Sequence, residues 1–173
     1  MPYNARGQSS ILTVEIDCSS DGKAPRWDGI SAIYSRPEAP VRAALEMRLT
    51  GGSSILLAPQ RGNQSTASIE VFTTLITPPD EWKTFRQIVV DHWTSYKDDR
   101  GEYLNARPHW AKHWWDLEVR GQPIQTYVKD TAYKDAFAAF RAVFQKIVTN
   151  RGSTVEETRK MFDMELMGRL IFD

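Results

Sequence analysis

The chain has a single cysteine, Cys18. No internal disulfide can form, and a reducing, cytoplasmic setting is the expectation. Neither charge is in excess, with 22 Lys plus Arg against 22 Asp plus Glu. That balance gives no electrostatic case for nucleic acid or for an anionic membrane surface. No apolar run approaches the roughly 18 residues that a membrane span needs. The opening "MPYNARGQSS" has no apolar stretch of the secretory-signal kind. The glycines form no G-x-G-x-x-G and no Walker loop, so no cofactor is expected to be held by the chain itself. There is also no G-x-S-x-G elbow and no Cys–His signature of a nucleophilic hydrolase.

What is present fits one soluble globular domain. The 173 residues are 41% hydrophobic and 25% charged, enough to build a single core. "ILTVEID" (11–17) alternates with period two and reads as a strand. "RAALEMRLT" (42–50) also reads as a strand, because Leu45, Met47 and Leu49 alternate with Glu46 and Arg48 before Gly51-Gly52. "SILLAPQ" is expected to add a short apolar strand, and "TASIEVFTTLIT" (66–77) is the clearest strand of all. The segment "ISAIYSRPEAP" is expected to be irregular.

Helices follow. Thr77-Pro78-Pro79-Asp80 is a helix start, and Trp82, Phe85, Ile88, Val89, Trp93 and Tyr96 then fall on one stripe. A second helix is expected over 131–149, with Tyr133, Phe137, Phe140, Phe144 and Ile147 on one face. A third is opened by a capping box at Ser153-Thr154-Val155-Glu156. Strands first and helices after predict an α+β fold: an antiparallel sheet with helices packed on one face.

The stretch "EYLNARPHWAKHWWDLE" (102–118) carries two of the three histidines and three of the six tryptophans. If it is helical, His109 and His113 share a face at i and i+4, as do Trp110 and Trp114. Two histidines are half a metal site. The glutamate of a zinc-protease motif is missing between them, and Lys112 stands there instead, a cation that disfavours a dication. No metal is therefore expected. Trp, His, Lys and Arg together suit the wall of a small-molecule pocket, and equally a core stripe.

Glu46 and Arg48 share one strand face, and Glu70 shares another with Ser68 and Phe72. Two readings stand side by side. One is a solvated sheet face with cross-strand ion pairs. The other is a pocket floor where a buried glutamate with a raised pKa is held by an arginine.

"ALEMRLTGGSSILLAPQ" and "ARPHWAKHW" together resemble the substrate-binding (cap) domain of flavin-linked oxidases of the vanillyl-alcohol-oxidase superfamily. The likeness is closest to the cholesterol oxidases with covalently bound flavin. The "RPHWAK" element is also similar to a motif of aldonolactone oxidases. The likeness runs in order from about Arg42 to Phe172. It implies that Glu46 and Arg48 take part in proton handling and oxygen access, and that His109, Trp110 and Lys112 lie near the pocket. It does not extend to a flavin-binding half, so the oxidase activity is not expected to carry over. The apolar pocket and its acid–base groups are.

Two functional expectations follow. The first is a flavin-free enzyme promoting isomerisation, cyclisation or elimination of an apolar polycyclic or polyene substrate. In it Glu46, Arg48 and His109 are catalytic, and Trp110, Lys112, His113, Trp114, Glu70 and Phe72 line the pocket. The alternative is a binding module, or a detached cap pairing with a separate flavoprotein. Self-association through the surface that would face a flavin domain is the expected oligomer.

Overall fold

A computed structural model describes residues 11–18, 28–40, 46–74, 76–162 and 165–173. Strand β1 (Ile11–Asp17), strand β2 (Glu46–Gly51), strand β3 (Ser65–Phe72) and the short β4 (Ala106–Pro108) form one antiparallel sheet in the order β2-β3-β1-β4. The fold is α+β. Alternation sets the two faces. Leu12, Val14 and Ile16 of β1 lie level with Val71, Ile69 and Ala67 of β3, and all six are buried. A one-residue slip would turn this apolar set to the other side, so the pattern fixes the register.

Helix α1 (Asp28–Tyr34) lies between β1 and β2, in a segment expected to be irregular. Helix α2 (Pro79–Trp93) buries Trp82, Phe85, Val89, Val90 and Trp93, which join the β1 and β3 side chains in one core. Pro79 opens the helix, and Asp80 and Glu81 complement its N-terminal dipole. The N-cap residue is Pro78, which makes no side-chain cap hydrogen bond.

The strand expected at 54–60 is absent. Gly52 leads into consecutive turns, with Ala58 N donating to Ile55 O and Arg61 N to Ala58 O. Ile55 stands 70% exposed. Gly52 is required here because a Cβ would sit 1.8 Å from Asn63 O.

Residues 102–118 do not form a helix. They supply β4, which pairs with β1, and then turns over 110–116. Pro108 suits this edge strand because it has no N–H to donate outward. A hairpin of β5 (Glu118–Val119) and β6 (Gln122–Pro123) follows. Its turn, Arg120-Gly121, has φ of 53° and 75°, as a primed hairpin turn requires.

The chain ends in helices: α3 (Ile124–Tyr127), a π-helical stretch (Val128–Ala132), α4 (Lys134–Asn150), α5 (Val155–Phe162) and α6 (Glu165–Phe172). On α4 the aromatic stripe turns away from the core along its length. Phe137 is buried, Phe140 and Phe144 are half-buried, and Ile147 is 52% exposed. Among the described residues, no helix is long and apolar enough to cross a membrane.

Candidate functional site

The polar side of the sheet is assembled by register. Glu46 of β2 lies directly opposite Glu70 of β3, and Glu70 lies opposite Thr13 of β1. Directly opposed side chains are about 5 Å apart at Cβ, and like charges there repel. Each carboxylate has its own cation. Arg48 Nε donates to Glu46 Oε1 at 2.7 Å. Lys112 Nζ lies 3.8 Å from Glu70 Oε1.

Lys112 reaches this position because the chain doubles back after β4. His109 N donates to Thr13 O, docking the turn on β1, and Lys112 N donates to His109 O, closing it. The His109 ring is turned inward on its own loop, with Nδ1 accepting from Ala111 N.

The environments differ along the row. Glu46 and Arg48 have side chains 49% and 61% exposed, whereas Glu70 and Lys112 are 12% and 22% exposed. The buried floor expected around Glu46 is therefore a solvated edge, because β2 is the outer strand of the sheet. The enclosed carboxylate is Glu70. Beside it, Thr13 is fully buried, and its Oγ1 has no hydrogen-bond partner among the described residues. Phe72 continues the same face two residues beyond Glu70 and is half-buried.

The remaining expected site residues lie elsewhere. Trp110 and Trp114 are packing residues. Trp114 is fully buried, and the two rings meet edge-on with centroids 5.9 Å apart. Trp110 also lies 4.7 Å from the Tyr133 ring and donates Nε1–H to Leu57 O at 2.7 Å. His113 belongs to a different cluster. Its ring packs at a tilt of 41° against Trp115 with centroids 4.5 Å apart, and its Nε2 lies 3.7 Å from Asp116 Oδ1. Burial pushes its pKa down, and the nearby Arg86 charge pushes the same way. Among the described residues, no group of three or more His, Cys, Asp or Glu is placed to hold a metal.

Two buried arginines escaped the sequence reading. Arg107 donates Nε–H to Ala132 O at 2.9 Å and Nη1–H to Pro59 O and Arg61 O, and lies over the Tyr133 ring. It ties the 52–63 loop and the π-helical stretch to the sheet. Burial lowers its pKa, but a guanidinium stays charged under all ordinary conditions. Arg86, on the buried stripe of α2, is the second. Its signal was its place in an apolar helical stripe, where a cation needs a partner.

The face formed by Glu46, Arg48, Glu70, Lys112 and Phe72 offers two acceptors, two cationic donors and one aromatic surface. That set suits the polar end and the apolar body of a small molecule. It supplies no glycine-rich turn of backbone N–H groups for a pyrophosphate, so a flavin dinucleotide does not fit it as a resident group. No family model, curated protein or solved structure matches the chain.

Proposed function

We propose that the chain is a substrate-binding domain of the flavin-oxidase cap kind. In this reading the polar sheet face is where a largely apolar small molecule is held. The observation that supports it is convergence. Residues 46–48, 70–72 and 112 are far apart in sequence, and the first and last of them lie in the two segments that carry the resemblance. Register and the 3.8 Å Glu70–Lys112 pair bring them to one face.

A flavin held outside this chain would supply the electron acceptor. The chain's own groups have separable tasks. Phe72 lies against the apolar body. Lys112 and Arg48 hold a developing oxyanion or a ligand oxygen. Glu70, mostly enclosed, makes a less screened contact with a bound ligand than exposed Glu46 does, and is the carboxylate placed to act as its acid or base.

The in-register pair of carboxylates favours a second reading, a flavin-free acid–base enzyme. Two opposed glutamates can divide the roles of acid and base when their surroundings differ, as those of Glu46 and Glu70 do.

Native mass spectrometry of the purified chain, followed by titration of each copurifying or candidate apolar ligand, tests both readings. Lys112→Met and Glu70→Gln should each weaken binding by about tenfold, the loss of one charge-assisted contact. Unchanged affinity in both variants sinks the assignment of this face. Turnover without added flavin, abolished in Glu70→Gln, selects the second reading.

A further inference from the structure

Arg86 of α2 has hydrogen-bond donors to spare in the interior. A guanidinium is planar and carries a fixed fork of N–H groups. The two outer nitrogens grip one carboxylate end-on, Nη1 on Asp116 Oδ1 and Nη2 on Asp116 Oδ2. The second Nη1–H goes to His113 O. That leaves Nε–H and the second Nη2–H, which lie side by side along one edge of the guanidinium and point the same way. Nε is buried and has no hydrogen-bond partner among the described residues. The whole side chain is 2% exposed.

Two further buried donors in this neighbourhood lack a partner among the described residues, the indole Nε1–H groups of Trp82 and Trp114. Trp82 stands one turn before Arg86 on α2, and its ring centre lies 5.8 Å from the guanidinium. Trp114 belongs to the turn that Arg86 grips on both sides, at His113 and at Asp116. Both indoles are buried. Guanidinium and indole N–H groups can only donate, and leaving them unmatched in the interior costs free energy.

We propose that Arg86 Nε–H and Nη2–H, with the Nε1–H groups of Trp82 and Trp114, form a buried binding site for a small monovalent anion of halide size. Charge favours an anion over a neutral acceptor. Asp116 balances Arg86 from the outer end of the guanidinium, where its side chain is 31% exposed and screened by water. The Nε edge has no such counter-charge. A halide accepts from several N–H groups at once and has no proton to place, whereas water must donate as well as accept. α2 packs against the apolar side of the sheet, so this site stands whether or not the polar face holds a ligand.

Thermal unfolding of the full chain in sodium chloride, sodium bromide and sodium gluconate at matched ionic strength is the test. Chloride and bromide should raise the melting temperature with a saturable dependence that gluconate, too large to enter, does not show. Bromide should quench tryptophan fluorescence over the same concentrations. Trp82→Phe and Trp114→Phe keep an aromatic ring and remove one N–H each. Each should weaken the apparent halide affinity by about tenfold, the loss of one hydrogen bond to a charged group. Wild-type melting that is the same in halide and gluconate overturns the proposal and assigns the donors to water. So do Trp82→Phe and Trp114→Phe chains that both respond to chloride as wild type does.

Discussion

Arg86 holds Asp116 through two parallel hydrogen bonds of 2.9 Å, Nη1 to Oδ1 and Nη2 to Oδ2. Nη1 also donates to His113 O at 3.0 Å, and the guanidinium lies 5.8 Å from the Trp82 ring centre. The arginine side chain is 2% exposed and the aspartate 31%. The pair fastens the turn after β4 to the middle of α2.

Removing one partner should therefore differ sharply from replacing the cation. Asp116→Ala leaves a buried guanidinium without its counter-charge, which costs about 3–5 kcal/mol. Arg86→Met keeps much of the volume and removes the buried charge, and should cost clearly less. Urea denaturation of the two variants checks the order. Equal losses would show that packing volume, and not the uncompensated charge, dominates.

The same cluster should make the fold sensitive to acid in two separate steps. Burial pushes the Asp116 pKa up, but the hydrogen bonds and charge of Arg86, with His113, outweigh it and hold the carboxyl below its ordinary 3.8. His113 is held below its ordinary 6.5, first by burial and then by Arg86. In both cases the unfolded chain binds protons more readily than the folded one, so stability rises with pH. The His113 contribution is complete above about pH 6.5 and is lost as pH falls through its lowered folded pKa. The Asp116 contribution is complete above about pH 3.8 and is lost on further acidification. Melting temperatures measured from pH 8 to pH 3 should fall in this order. His113→Gln should flatten the upper step and leave most of the lower one, which rests chiefly on Arg86. A His113→Gln profile that superposes on wild type contradicts the assignment.

Particular residues show how far the sequence reached. The β1 and β3 alternation and the α2 stripe were legible because each is set by local periodicity. The exposed nature of Glu46 was not, since alternation says which residues share a face but not whether the strand lies at an edge. The turns at 53–61 were misread as a strand because their carbonyls are claimed from afar, by Arg107 and by Trp110. In 102–118, helical spacing of Trp110 and Trp114 was real as contact but not as helix. The two rings meet across turns that follow β4. The Glu70–Lys112 pair required knowing that the chain doubles back at His109, which no local pattern announces.

The start of α5 gives a test at single-residue resolution. The capping box lies one residue later than the sequence suggested. Glu157 N donates to Thr154 Oγ1 at 3.2 Å, and Thr154 N donates to Glu157 Oε2 at 2.9 Å. The Thr154 backbone and the Thr154 and Ser153 hydroxyls hold the Glu157 carboxyl below its ordinary 4.5. Thr154→Ala should cost about 1 kcal/mol, the usual loss on removing an N-cap. Ser153→Ala removes an accessory donor to Glu157 and a long 3.4 Å contact with Thr158 Oγ1, and should cost less. Because a depressed carboxyl stabilises the fold above its unfolded pKa, the Thr154→Ala deficit should be full above about pH 4.5 and shrink as pH falls through the folded pKa. Chemical denaturation of both variants at pH 7 and pH 3 measures it. A larger loss for Ser153→Ala than for Thr154→Ala would return the cap to Ser153.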